Sequence, residues 1–221
     1  MEWYPLQLSL EVALIATMIS LFVGVGIAAA LAAWRFPGRE LVDALVTAPL
    51  VLPPTVLGYY VLVCLGRDSA FGHFWEWLTG GPIVFTVTGC VVAAVIGGLP
   101  MVIKSSRTAL ESVDPNLVKA ARTLGAGPAR AFFTVKLPLA AHGVVAGLML
   151  SFAKGLGEFG ITLMIAGDIP GQTQTAPLYI YDAIQAQKDA QASGMVAVLT
   201  ATGIAILYGV NRLTQRNNDH Q

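Results

Sequence analysis

The chain has 221 residues, of which 55% are hydrophobic and 12% charged, with a mean hydropathy of +0.68. A soluble domain of that length has no use for so much apolar surface, so the composition excludes an ordinary soluble fold and defines an integral membrane protein. The 13 Lys and Arg balance the 13 Asp and Glu; zero net charge points to no acidic or basic partner, and nucleic acid is not indicated.

Crossing the hydrocarbon core takes about 20 apolar residues, and runs of that order lie at 8–33, 46–65, 83–103, 139–157 and 194–213. They predict an all-α, polytopic fold of five spans in a single transmembrane domain, 1–221. The apolar stretch 161–166 is too short to cross alone. It either prolongs the fourth span or forms a half-helix, which leaves a sixth span open. The first run ends in an AAALAA stretch like a signal-peptidase site, but no basic segment precedes it, so it is read as a retained span.

In the second run Pro53 and Pro54 remove two backbone donors, which kinks or breaks a helix. Such a break either lines a pathway or improves packing. Thr55 beside it either faces a passing ion or bonds back to its own helix. Residues 67–81, with Phe71, Phe74, Trp75 and Trp77, read as an interfacial aromatic helix. Gly97, Gly98 and Pro100 in the third run raise the same question as Pro53, with close helix contact the simpler reading. Lys154 and Glu158 are costly in a span; their i, i+4 spacing lets each neutralise the other, either as part of a gate or pathway near the external end of the fourth span or as a structural pair. The loop 171–175 reads as an ordinary polar turn. Cys64 and Cys90 read as packing residues. His73, His142 and His220 are too scattered to ligate, and neither a metal site nor a cofactor is expected.

Basic residues favour the cytoplasmic side of short loops. Arg35 and Arg39 follow the first run, Lys104, Arg107, Lys119, Arg122, Arg130 and Lys136 separate the third from the fourth, and Arg212 and Arg216 follow the fifth. The opposite loops hold Arg67 and Lys188 among several carboxylates. This places the N-terminus outside, the C-terminus inside and the 104–137 loop in the cytoplasm.

Within that loop, DPNLVKAARTLGAGPARAFFTVKLP runs from Asp114 to Pro138. Asp114 suits an N-cap, Pro115 a first helical position and Gly125 a left-handed stop. The helix so framed, 115–124, carries Leu117, Ala120, Ala121 and Leu124 at i, i+3, i+4 and i+7. Two methyl side chains in that stripe let a partner groove approach the backbone. A second short helix is expected at 129–136.

Lys119-Ala120-Ala121, then Gly125, then Leu137-Pro138, resembles the Glu-Ala-Ala loop of ATP-binding-cassette importer permeases, with Lys119 where the family carries glutamate. Three further segments, LVLPPTVLGY at 50–59, LGEFG at 156–160 and IPGQTQT at 169–175, are similar to the molybdate-transporting branch. The resemblance implies a type I importer permease fold and a homodimer in the cytoplasmic (inner) membrane of a prokaryote. It also implies two cytoplasmic ATPase subunits and an extracytoplasmic oxyanion-binding protein. The substrate it implies is molybdate, with tungstate or sulfate/thiosulfate as alternatives. It assigns Leu117, Lys119, Ala120, Ala121, Leu124 and Gly125 to ATPase coupling, and makes Pro53, Pro54, Thr55, Lys154 and Glu158 pathway or gate candidates.

No GxxxxGK[ST] phosphate loop occurs in the chain, so ATP chemistry would belong to a partner. No HExxH motif or nucleophile with an arranged base occurs either, which argues against a membrane-embedded enzyme. A passive anion channel or secondary transporter could use the same spans, but it would not need a small-residue docking helix in the cytosol.

Overall fold

The computed structural model describes residues 3–34 and 36–218, with side chains as far as 209. Arg35 and His220 lie outside the described residues, and Arg212 and Arg216 are described by backbone alone. In chain order the helices are α1 (Tyr4–Ala33), α2 (Arg39–Val51), α3 (Pro54–Leu65), α4 (Ala70–Thr79), α5 (Val87–Ser112) and α6 (Pro115–Thr123). There follow α7 (Pro128–Ala131), a π-helical turn (Phe132–Lys136), α8 (Leu137–Leu139), α9 (Ala141–Leu156), α10 (Gly160–Ala166), α11 (Ala176–Gln185) and α12 (Asp189–Asn218). No strand occurs among the described residues.

Helices α1, α5 and α12 are each long and apolar enough to cross a membrane. The other two apolar runs do so only as bent pairs, α2 with α3 at 116° and Pro128–Leu139 with α9 at 69°. The Pro53-Pro54 step is therefore a full break: Leu52 and Pro53 are extended, at ψ 141 and 136°, before α3 begins. Helix α10 has 7 residues, stands apart from α9 and is too short for a sixth crossing. Helix α11 is an element that the apolar runs do not announce. The second short helix of the 104–137 loop also differs from expectation, because its last residues form the π turn. Pro138 offers Thr134 no N–H for an ordinary helical bond, and the Leu137 N–H instead reaches back to the Phe132 carbonyl.

The centre of the molecule is α1, α5 and α9. Leu8, Val12 and Ala16 near the start of α1 pack with Cys90 and Ala94 near the start of α5. Ala28 and Leu31 meet Ile103 and Leu110 at their far ends, so the two helices run parallel. Helix α9 runs antiparallel to them on small residues. A Cβ on Gly143 would lie 2.3 Å from the Ala109 methyl, one on Gly147 3.0 Å from Ser105 Cβ, and one on Gly98 2.3 Å from Ser151 Oγ. Close backbone approach of this kind stabilises helix contacts in lipid, where hydrophobic burial adds nothing. The start of α1 and the helix α6 thus lie at opposite ends of the bundle.

Helix α5 outruns its apolar stretch by about two turns, and those turns carry charge. Asp43 of α2 accepts from Lys104 Nζ and Arg107 Nη1, each at 2.6 Å. Glu111 accepts from Arg107 Nε at 3.0 Å and from Arg39. This network fixes the start of α2 to the end of α5, beside α6.

Candidate functional site

Two features fall out of this packing: a pair of broken helices that meet inside the bundle, and an uncovered helix at one end.

The first is built on Glu158. Its carboxylate is 2% exposed and takes Lys154 Nζ at 2.6 Å on Oε2, while Oε1 accepts the Ile161 backbone N–H at 3.1 Å. Glu158 is therefore both the partner of Lys154 and, one residue before the Phe159 N-cap, an acceptor for the first turn of half-helix α10, whose first N–H groups have no partner within the helix. Room for it exists because residue 97 is glycine: a Cβ there would stand 2.9 Å from Oε2. Gly97 lies ten residues into α5, or roughly 15 Å at helical rise. The pair is thus deeper in the bundle than the end of the fourth apolar run suggests, because α10 continues beside α5 past it.

The second break comes to the same place. A Cβ on Gly160 would lie 2.6 Å from Pro54 Cβ, and one on Gly58 2.6 Å from Met164 Cβ, so α3 and α10 pack at their beginnings. The structure brings Pro54, Lys154 and Glu158 into one region. Thr55, in the first turn of α3, is exposed. Gly97 and Gly160 complete the site, although sequence reasoning assigns them only packing or no role. Gly160→Ala is expected to cost about 1–3 kcal/mol through the clash with the rigid proline ring; a chemical melt of the purified protein matching wild type would refute the contact.

Helix α6 is set by its caps. Asp114 Oδ1 accepts from the Asn116 N–H at 2.9 Å. At the other end Gly125, at φ +88°, lets its N–H reach the Arg122 carbonyl at 3.1 Å and the Ala126 N–H reach the Ala121 carbonyl at 3.1 Å. These are the two bonds of a Schellman stop. Most of the apolar stripe is bare among the described residues: Leu117 is 48% and Leu124 88% exposed, Ala120 is exposed and Ala121 half-buried. Lys119 is exposed and forms no ion pair among the described residues. A further cleft at this end, about 580 Å³, is lined by Lys104, Ser105, Thr108 and Ser112 among others. Lys104 is engaged by Asp43, and Ser105 and Ser112 donate to the Gly143 and Ala109 carbonyls, so these polar groups are occupied within the chain.

The loop 171–175, at the opposite end, is an exposed polar turn only at its start, Gly171 and Gln172. Thr173, Gln174 and Thr175 are buried, Cys90 Sγ lies 3.6 Å from the Thr173 carbonyl, and Ser9 Oγ accepts the Ala176 N–H at 2.8 Å. Burial raises the Asp168 carboxyl above its ordinary range; Gln174 opposes the shift and the Asp182 charge adds to it. Since the folded state disfavours the charged form, this stability is fully present below the unfolded-chain pKa and is lost as pH rises through the raised one. Asp168→Asn is expected to flatten the dependence of the melting point on pH over that window; an unchanged slope would discount the group. Among the described residues no group of His, Cys, Asp and Glu could hold a metal.

The break before α3 and the break before α10 meet inside the bundle, and the capped helix α6 lies bare at one end of it. The chain belongs to the family of binding-protein-dependent transport system inner membrane components, whose model matches residues 21–218. It is a multi-pass protein of the cytoplasmic membrane. It is 44% identical over 185 residues to the molybdenum transport system permease protein ModB of Escherichia coli K12, covering 83% of this chain and 80% of that one. Against ModB of Azotobacter vinelandii the identity is 39% over 205 residues, 93% and 91% of the two chains. The sulfate transport system permease protein CysT of Escherichia coli K12 is 35% identical over 212 residues, 95% of this chain and 76% of that one. In fold it is similar to a bacterial transporter importing alginate, with a TM-score of 0.76 at 13% identity over 96% of this chain and 78% of the other. The MetNI methionine transporter gives a TM-score of 0.75 at 16% identity over 96% and 94%.

Proposed function

We propose that this chain is the permease subunit of an ATP-driven importer that carries molybdate across the cytoplasmic membrane. The bare, doubly capped α6 supports the ATP-driven part of that reading, since a passive channel needs no docking face of this kind. The molybdenum permeases of 39–44% identity support the substrate. In this reading two copies of the chain pair in the membrane, two ATPase subunits seat on the α6 helices, and an extracytoplasmic binding protein delivers the oxyanion to the other end. The N-terminus faces out, and 104–137 faces the cytosol. Leu117, Lys119, Ala120, Ala121, Leu124 and Gly125 form the docking helix and its stop. Pro53, Pro54, Thr55, Lys154 and Glu158 border the pathway at the meeting of the broken spans.

ATP binding draws the ATPases together, and the short rigid helices pass that movement to the spans. A cation already neutralised by Glu158 holds a divalent oxyanion weakly, which suits passage rather than storage. Selection among oxyanions then falls to the binding protein.

The test is uptake of labelled molybdate into vesicles holding this chain with its ATPase and binding protein. Uptake should require ATP and be competed by tungstate but not by sulfate. Competition by sulfate as strong as by tungstate would shift the substrate toward that of the sulfate permease relative. Uptake without ATP would overturn the importer reading.

A further inference from the structure

Between the ends of α1 and α5, the helix α6 and the π turn lies a cleft of about 610 Å³. Arg39, Arg107, Lys119, Arg122 and Lys136 line it against a single carboxylate, Glu111. Glu111 is already engaged with Arg39 and Arg107, and Arg107 also pairs with Asp43. Lys119, Arg122 and Lys136 have no ion-pair partner among the described residues. The Nε of Arg39 is buried without an acceptor. The site has more donors and more positive charge than the chain itself satisfies.

The other wall is apolar, with the half-buried Val113 and Val118 over the buried Leu110. The cleft reaches Ala32 at the end of the apolar run of α1, and the exposed rings of Trp34 and Phe36, 67% and 39% exposed, follow in the chain before Arg39; aromatic rings at the end of a span favour the lipid headgroup region. A charged floor with a greasy wall at that depth fits a phosphodiester with acyl chains attached better than a small free anion, which would use only half of it. We propose that this cleft binds the phosphate of an anionic phospholipid, held by Arg122, Lys136 and the free Nε of Arg39. The lipid then bridges the ends of α1 and α5 to the docking helix, so membrane composition reaches α6 directly.

The test uses the full chain purified with its ATPase subunits in mixed micelles of phosphatidylcholine and phosphatidylglycerol. Native mass spectrometry reads the lipid retained per chain. Retention of phosphatidylglycerol over phosphatidylcholine is expected, lowered about fivefold or more by the double change Arg122→Gln with Lys136→Gln. The charge-preserving pair Arg122→Lys with Lys136→Arg should keep it, as should Arg130→Gln, an exposed cation of the same loop outside the cleft. Equal loss in the Arg130 variant would reduce the effect to diffuse surface charge and overturn the site. Displacement by millimolar inorganic phosphate would overturn the lipid as its source. Retention only after the ATPases are removed would overturn it as well, because the partner would then be what covers the cleft.

Discussion

Lys154→Met is expected to be among the most destabilising single substitutions in the chain, at about 3–5 kcal/mol, and to abolish uptake. Glu158 is 2% exposed, and Lys154 is its one cationic partner within salt-bridge distance among the described residues. Removing one member of such a pair leaves a charge out of water and uncompensated, which costs far more than the intact pair contributes. The Ile161 N–H would remain on Oε1, but one backbone donor does not replace an ammonium. Glu158→Gln should cost less, about 1–2 kcal/mol. Gln keeps an oxygen for Ile161, and Lys154, 36% exposed, can reach water. The double variant should therefore be more stable than Lys154→Met alone. Denaturant melts in micelles measure all four corners of this cycle. If the two single costs simply add, to within about 0.5 kcal/mol, the groups are not coupled and the site loses its centre. If stability recovers in the double variant while uptake does not, the pair acts in transport as well as in folding.

Much of this architecture was legible in the residues, and most of the part that was not has a common cause. Local signals held: Asp114 and Gly125 frame α6 to within a residue, and the Pro53-Pro54 step marks a break between helices. The i, i+4 spacing of Lys154 and Glu158 gives the observed ion pair. These depend on neighbours in the chain. What the sequence conceals depends on distant partners: Gly97 leaving room for the Glu158 carboxylate, Gly160 seated on Pro54, and the depth at which they meet. The loop 171–175 misleads for the same reason. Its Gly, Gln and Thr residues are those of a surface turn, and Gly171 and Gln172 are exposed, yet Ser9 and Cys90 from other helices supply contacts beside the buried Thr173, Gln174 and Thr175. The π turn has a local cause in Pro138, but proline is equally at home at the first turn of a helix, and only the observed Leu137-to-Phe132 bond separates the two.

Ala121→Trp should leave the protein folded and inserted yet unable to keep its ATPase. Leu117, Ala120 and Leu124 of the stripe are exposed, Ala121 is half-buried and no residue of α6 is fully buried, so an indole at 121 has room to turn outward. The Ala121 carbonyl still accepts from Ala126, and the Gly125 stop is untouched. A docked partner fares differently. A groove fitted to methyl groups close to the helix backbone cannot admit a ring of that size, and misfit at the centre of an interface costs about 2 kcal/mol or more, roughly a thirtyfold loss of affinity. Ala120→Trp, on the same stripe, should do the same, whereas Arg130→Gln should not. Co-purification of the ATPase with the tagged permease reads the association, uptake reads the coupling, and size-exclusion elution with helical content confirms the fold. Because the ATPase would be lost while α1, α5 and α9 stay packed, stimulation of ATP hydrolysis should vanish together with uptake rather than survive it. A tryptophan variant that holds its ATPase and transports normally would remove α6 from the docking surface, and with it the main structural argument for an ATP-driven machine.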